Sequence, residues 1–326
     1  MPQVRVDPLT GLKTIIAGER ADRPGAGFDV PPDTPLDPAT DPFLPGHEDE
    51  TPPEVYAERP DGSAPDTPGW TVRAFPNRFP ALNPLAPQPE NDAHPDLFTA
   101  QPAKGAHEVI VNAPEPVNTL SDLSVAQVVL AVEVWRARMR AHADAACRHL
   151  IVNEGREAGA SLPHTHAQLF AMDFVPAAVA RERERFGAYA VRTMGGNLLA
   201  DLVQEEVRRR ERIVAIDDEA VLMAPFASRV PFHLVLAPRR ARARFEDDGP
   251  SGAAMLYDAL RRLRARLGAS PPLNLWVRTA PSGAEHFSWR IEIQPRINQP
   301  AGLELGTGVN LCTHPPERAA AELRDL

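Results

Sequence analysis

Cysteine is nearly missing from this chain: Cys147 and Cys312 are the two copies in 326 residues. Two cysteines so far apart support neither a disulfide framework nor a cysteine-rich zinc site. Long apolar runs are missing as well. None approaches the roughly 18–20 residues that a membrane-spanning helix needs. The opening "MPQVRVDPLTGLKTIIAGER" lacks the basic-then-apolar order of a secretory signal, so a cytoplasmic location away from membranes is expected. Positive charge is in deficit. The 35 Lys and Arg stand against 44 Asp and Glu, a net charge of −9, which speaks against general nucleic-acid binding. Arginines do cluster in "RRARAR" (239–244) and "RRLRAR" (261–266), which read as solvated faces of a loop or helix.

The remaining composition, 43% hydrophobic and 24% charged, is that of an ordinary globular protein. The length suits two domains, or one domain doubled on itself. Many of the 36 prolines fall within residues 24–70, which predicts loops and turns there. "WTVRAFPNRFPAL" (70–82) reads as a strand running into a turn, and "HEVIVNAP" (107–114) as a second strand. Ser124 and Gln127 have capping-box spacing. Val128, Val132, Trp135 and Met139 then recur at helical intervals, with Arg136, Arg138 and Arg140 largely off the stripe, which predicts a helix to about Arg148. A strand (149–155), a turn and a returning strand follow, then charged helices over 177–212 interrupted at Gly195 and Gly196. The same strand–helix–hairpin order recurs over 220–296, with a helix from about Ser251 to Leu267 ended by Gly268. This suggests an internal duplication with halves 1–175 and 176–326.

One stretch, "EGREAGASLPHTHAQLFAMD" (154–173), concentrates the chemistry. On a strand, His164, His166 and Gln168 share one face, while Thr165, Ala167 and Leu169 point the other way. The apolar side can serve a core, so the polar side must find water or a ligand. Three accounts compete: a hydrogen-bonded histidine pair in the core, a zinc site, and a nucleophilic histidine. Zinc needs third and fourth ligands, and glutamine is a poor one. A neutral imidazole is nucleophilic near pH 7 and forms labile phosphorus adducts, and the adjoining glycine-rich turn offers backbone N–H groups to phosphate oxygens.

"NEGREAGASLPHTHAQ" resembles the active-site segment N-x-G-x-x-x-G-x-S-x-P-H-x-H-x-Q of the galactose-1-phosphate uridylyltransferases and their relatives in the histidine-triad superfamily. "RVDPLTGLKTIIAGERADRP", "DPFLPGHEDETPPE", "AFPNRFPAL" and "AGLELGTGVN" with "PPERAAAELR" are similar to further segments of that family, in the family's order. The resemblance implies an α+β fold of two fused histidine-triad-like half-barrels, antiparallel sheets with packed helices. It implies a ping-pong nucleotidyl transfer between a nucleotide-sugar and a sugar phosphate. His166 would be the nucleophile, Gln168 would hold a phosphoryl oxygen of the covalent intermediate, and His164, Ser161 and Asn153 would orient and bind phosphates beside Gly159. Arg20 and Arg23 match positions near the diphosphate, and Asn77 one that contacts base or ribose. A homodimer is implied as well. An ADP-sugar phosphorylase, a dinucleotide hydrolase and a non-catalytic nucleotide-binding protein are the alternatives.

The chain departs from the family at its metals. Where many members hold zinc with two cysteines and two histidines, it has Asp41, Leu44, a residue near Pro116, and His164. No zinc and no other cofactor is expected. At the family's second metal site, Glu182 is kept, but the histidine positions read Arg278, Arg290 and Glu292, which implies an ion-pair network. His286 lies near enough in sequence to keep a metal there open.

Overall fold

The structure, a computed structural model, describes residues 1–22, 27–90 and 97–326. Near the N-terminus β1 (Gln3–Val6) and β2 (Lys13–Ile16) form a hairpin, followed by a largely irregular segment. The first half of the main sheet comes from β3 (Tyr56–Glu58), β4 (Val72–Pro76) and β5 (Gly105–Val111), then helix α1 (Val125–Ala141), then β6 (Cys147–Glu154) and β7 (His166–Met172). Two helices, α2 (Ala177–Arg192) and α3 (Leu198–Arg209), lead to the second half. That half has β8 (Ile213–Ile216), β9 (Ala220–Met223), β10 (Leu234–Pro238), helix α4 (Ala253–Leu267), β11 (Leu273–Arg278) and β12 (Arg290–Pro295). The chain finishes with α5 (Gly302–Thr307), β13 (Asn310–Cys312), which pairs with β2, and α6 (Pro316–Arg324).

The ten strands β3 to β12 make one antiparallel sheet in the order β3-β4-β5-β7-β6-β11-β12-β10-β9-β8. The order is a palindrome: read outward from the β6–β11 seam, each half repeats the other, and α1 and α4 occupy matching places in the connections. This α+β architecture is the duplication expected from the sequence. At the seam Asn153 pairs with Asn274 and Val152 with Leu275.

Alternation of side chains across the pleat sorts the core. Leu150, Val152, Ala167, Leu169, Leu275, Ile291 and Ile293 face α1 and α4, where Trp135, Met139, Leu256, Leu260 and Leu263 complete the main hydrophobic cluster. On the opposite face the halves differ. The second half is covered by α2 and α3, through Phe186, Leu199 and Val203 on Val221, Met223 and Val235. The first half has only a small cluster of Phe43, Trp70, Phe75, Val109 and Val111.

Three local expectations are corrected. Helix α1 starts as expected, with Ser124 Oγ accepting from Gln127 N–H at 3.1 Å. It ends at Ala141, because the chain from Cys147 is needed as a buried strand, where Arg148 meets Glu246 at 3.0 Å. Gln127 does not close the capping box; its Nε2 donates to Thr71 O and Asn112 O instead. Arg136, read as off the apolar stripe, is fully buried. Its guanidinium donates to Phe245 O and Ser251 O and lies 4.3 Å from the Phe245 ring centre.

Candidate active site

A cavity of about 490 Å³ opens on the uncovered face of the first half, with His166 and Gln168 on its floor and Asn77, Arg78, Ser161 and Phe43 around it. His166 is the first residue of β7, opposite Val111, and Gln168 lies between Val109 and Ile151. Their neighbours Ala167 and Leu169 go into the core, so the period of the strand delivers the two polar side chains to the cavity.

The tautomer of His166 follows from its partner. Its Nδ1 lies 2.8 Å from His164 O. A carbonyl oxygen only accepts, so Nδ1 carries the hydrogen and Nε2 keeps the lone pair. The side chain is 5% exposed. Burial, with the charge of His164, pushes its pKa below that of an ordinary histidine. His166 is thus a neutral imidazole whose free nitrogen is the nucleophilic one.

His164 has a different place from the one expected. It precedes β7 and is fully buried. Its Nδ1 is 2.7 Å from Asp41 Oδ2 and its Nε2 is 2.9 Å from Ala113 O. Both ring nitrogens are occupied, so His164 cannot touch a phosphate; it supports His166 through its backbone carbonyl. Burial pushes the Asp41 carboxyl up, but hydrogen bonds from His164 and from Phe43 N–H outweigh it and hold the group below its usual range. The pair is a buried histidine–carboxylate contact joining residues 41 and 164.

The family's zinc ligands are a poor match here. Asp41 and His164 are committed to each other, Leu44 has no donor atom, and Pro116 is exposed. Among the described residues no group of three or more His, Cys, Asp and Glu could hold a metal ion. The 41–54 segment is instead tied down by hydrogen bonds. Trp70 Nε1 donates to Glu48 at 2.8 Å, and Arg73 and Arg59 reach Glu54 at 3.1 and 2.7 Å. At the second metal position, Glu182 faces Arg278 at 3.3 Å and Arg290 at 2.9 Å, and Arg290 also meets Glu292 at 2.7 Å. Two guanidinium groups stand where a cation would have to bind. His286 is not part of this network; its carbonyl accepts from Asn197 Nδ2. The histidine that does join it is His233, 2.8 Å from Glu292.

The other expected residues are dispersed. Ser161 lines the His166 cavity and an adjoining one of about 350 Å³ beside Arg156 and Asn118. Asn77 lies at the cavity, its Oδ1 held by Phe79 N–H at 2.8 Å. Asn153 sits at the seam, where its Oδ1 accepts from Asn274 Nδ2 at 2.8 Å. Gly159 closes the turn with φ of 86°. The N–H groups of Ala158, Gly159 and Ala160 all bond within that turn, so these three are not free to serve phosphate. Arg20 lies at a separate cavity of about 730 Å³ beside Phe28 and Asn298. Arg23 lies outside the described residues. No helix among the described residues is long and apolar enough to cross a membrane.

Comparison with known proteins supplies the family. The description "Domain of unknown function (DUF4921)" matches residues 128–325. A Drosophila melanogaster protein described as a probable galactose-1-phosphate uridylyltransferase is 29% identical over 294 residues, which is 87% of this chain and 80% of that protein. The ADP-glucose phosphorylase of Arabidopsis thaliana is 26% identical over 342 aligned positions, covering 100% of this chain and 93% of that one. The crystal structure of an ADP-glucose phosphorylase from Arabidopsis thaliana with bound ADP-glucose shares the fold, with a TM-score of 0.81 at 24% identity, covering 100% and 99% of the two chains. The description "Galactose-1-phosphate uridyl transferase, N-terminal domain" matches residues 1–176. That span is more than half of the chain and contains His164, His166 and Gln168, and on it the chain belongs to the galactose-1-phosphate uridyl transferase family.

Proposed function

We propose that this protein moves a nucleoside monophosphate from a nucleotide-sugar to a second phosphorylated acceptor through a covalent adduct on His166. The observation that carries this reading is the Nδ1 contact of His166 with His164 O, which leaves a neutral Nε2 at the cavity. The Nε2 lone pair forms a bond to the α-phosphorus while the bond from that phosphorus to the bridging oxygen breaks. The leaving electron pair departs on the sugar 1-phosphate. The ring is then cationic, and its Nδ1–H donates more strongly to the carbonyl. An acceptor phosphate oxygen next attacks the same phosphorus, and the phosphorus–nitrogen pair returns to Nε2. Gln168 holds a phosphoryl oxygen through its NH2. Glutamine does not titrate, so it offers water no general base, and the adduct waits for its second substrate.

Uridylyl transfer to a hexose 1-phosphate is the first instance of this chemistry. An ADP-sugar phosphorylase, with inorganic phosphate as acceptor, is the second reading. It is favoured by the match to the Arabidopsis ADP-glucose phosphorylase over the full length of the chain. In either case the protein works without zinc, with Asp41 and His164 bracing the segment that the metal would hold. A homodimer is part of this reading, as in the family the chain resembles.

Incubation with UDP-glucose and with ADP-glucose, followed by intact-mass measurement, tests this directly. A uridylyl or adenylyl increment on His166 is expected, and its mass selects between the readings. Tight binding of a nucleotide-sugar with no adduct would leave a non-catalytic binding protein.

A further inference from the structure

Gln168 can serve as a donor only if its amide is turned the right way, which its hydrogen-bond partners determine. The contacts around His107, on strand β5, decide it. His107 lies opposite Phe170 in the β5–β7 register, diagonal to Gln168, on the same face as Val109 and Val111. It is 7% exposed and stacks on Phe170 with ring centres 4.1 Å apart. Ala81 N–H donates to His107 Nδ1 at 3.1 Å. That nitrogen is therefore an acceptor, and in the neutral ring the hydrogen is on Nε2. Burial lowers the His107 pKa and keeps the ring neutral. Nε2 is 3.0 Å from Gln168 Oε1, so Nε2–H donates and Gln168 must present its oxygen to it.

One contact opposes this reading. Asn77 Nδ2 is 3.3 Å from His107 Nε2, which in this tautomer sets donor against donor. The Ala81 bond decides, because it is shorter and because a backbone N–H cannot turn away. The Asn77 amide has a second hydrogen and the cavity in front of it.

We propose that His107 is a positioning residue for nucleotidyl transfer. It holds Gln168 Oε1, so that the Gln168 NH2 is fixed toward the phosphoryl oxygen, and it ties this orientation to the 77–82 turn that borders the cavity. The proposal rests on the covalent route through His166 and deepens it. His107 touches no reacting atom. Its effect passes through Gln168 on one side and through the Ala81 N–H and Asn77 N–H bonds on the other, the latter running to His107 O at 2.8 Å.

Three variants separate these links. His107→Asn keeps an acceptor for Ala81 but offers Gln168 nothing, His107→Gln reaches Gln168 with an N–H, and His107→Phe does neither. Each is assayed with UDP-glucose and ADP-glucose for the rate of His166 adduct formation at saturation. The expected result is a loss of roughly tenfold to a hundredfold in His107→Asn and His107→Phe, the range of a weakened charge-stabilising donor. The KM should change little, and most of the rate should return in His107→Gln. In a Gln168→Ala background, His107→Asn should cause no further loss, because both changes remove the same interaction. Equal losses in both backgrounds, or no recovery in His107→Gln, would overturn the proposal. A measurement on the unaltered protein covers variants that fail to fold. Nitrogen NMR at neutral pH should find His107 as the Nε2–H tautomer, and a dominant Nδ1–H tautomer would equally overturn it. Absence of any His166 adduct in the unaltered protein would instead end the covalent reading and leave the tautomer result standing.

Discussion

Strands β7 and β12 occupy mirror positions in the palindromic sheet, and each carries polar side chains at alternate positions on the face away from α1 and α4. On β7 these are His166 and Gln168, beneath an open cavity. On β12 they are Arg290, Glu292 and Gln294, all buried. Helix α2 covers that half and inserts Glu182 against Arg290. The two halves show that the fold permits a polar centre on either side of the seam. Chemistry needs one whose charges are left incomplete. On β12 Arg290 has Glu182 and Glu292 beside it; on β7 a neutral nitrogen and an amide border a cavity.

The sharpest way to break this contrast is to remove the waiting nitrogen. His166→Gly should lower nucleotidyl transfer by several orders of magnitude, because the covalent route divides one hard displacement into two easier ones. Nucleotide binding, measured calorimetrically, should largely survive. The acid limb of kcat/KM should lie below 6.5, the ordinary histidine value, because burial lowers the His166 pKa and only the neutral ring attacks. An acid limb above 6.5 would mean that some other group controls the rate.

A smaller effect is expected from Glu182→Ala, which leaves Arg278 and Arg290 buried without their shared anion. Breaking a buried ion network in this way costs about 3–5 kcal/mol. Urea unfolding should record that loss, while the folded fraction still forms the His166 adduct at its usual rate. If the adduct disappears too, the halves are not independent.

Glu154, the last residue of β6, gives a comparable or slightly smaller change with a pH signature. Burial pushes its carboxyl up from 4.5 to about 8, while the hydrogen bond from Leu120 N–H pulls the other way. The folded state therefore holds this proton more tightly than the unfolded chain does. The resulting stability is fully present below 4.5 and is lost as the pH rises toward 8, a cost of about 3 kcal/mol at pH 7. Glu154→Gln keeps an acceptor for Leu120 N–H and cannot ionise. Its unfolding free energy should therefore vary less between pH 5 and 8 than that of the unaltered protein.

The smallest expected effect is none. Chelation should leave folding and adduct formation unchanged, and elemental analysis should find well under one zinc per chain. Stoichiometric zinc whose removal unfolds the protein would show that Asp41 and His164 are metal ligands after all.

The sequence made the duplication legible because strand–helix–hairpin units have strong periods, and it made the shared face of His166 and Gln168 legible because a strand alternates its faces. It misplaced His164, since β7 begins only at His166 and the residue before it already belongs to the turn. Asp41 meets His164 across 123 positions of chain, a pairing that no local pattern encodes. Arg136 was unreadable for another reason. A helical stripe sorts arginines outward by polarity, but this one fits between α1 and the 245–251 segment, where carbonyl oxygens receive it. His107 was not singled out in the sequence, because the contact with Ala81 N–H that fixes its tautomer joins residues 26 positions apart.

The seam between β6 and β11 has a consequence for the chain as a whole. Two like strands paired antiparallel across a pseudo-two-fold axis form the kind of contact that a self-complementary dimer makes. Here both partners belong to one polypeptide. A free β6 would be an edge strand, with a row of unpaired backbone donors and acceptors and Leu150 and Val152 along it, a template for aggregation. The second half closes that edge permanently, whatever its own side chains do. Once covalently joined, it can exchange reactive groups for ion pairs and still be indispensable, because it keeps the β6 edge covered.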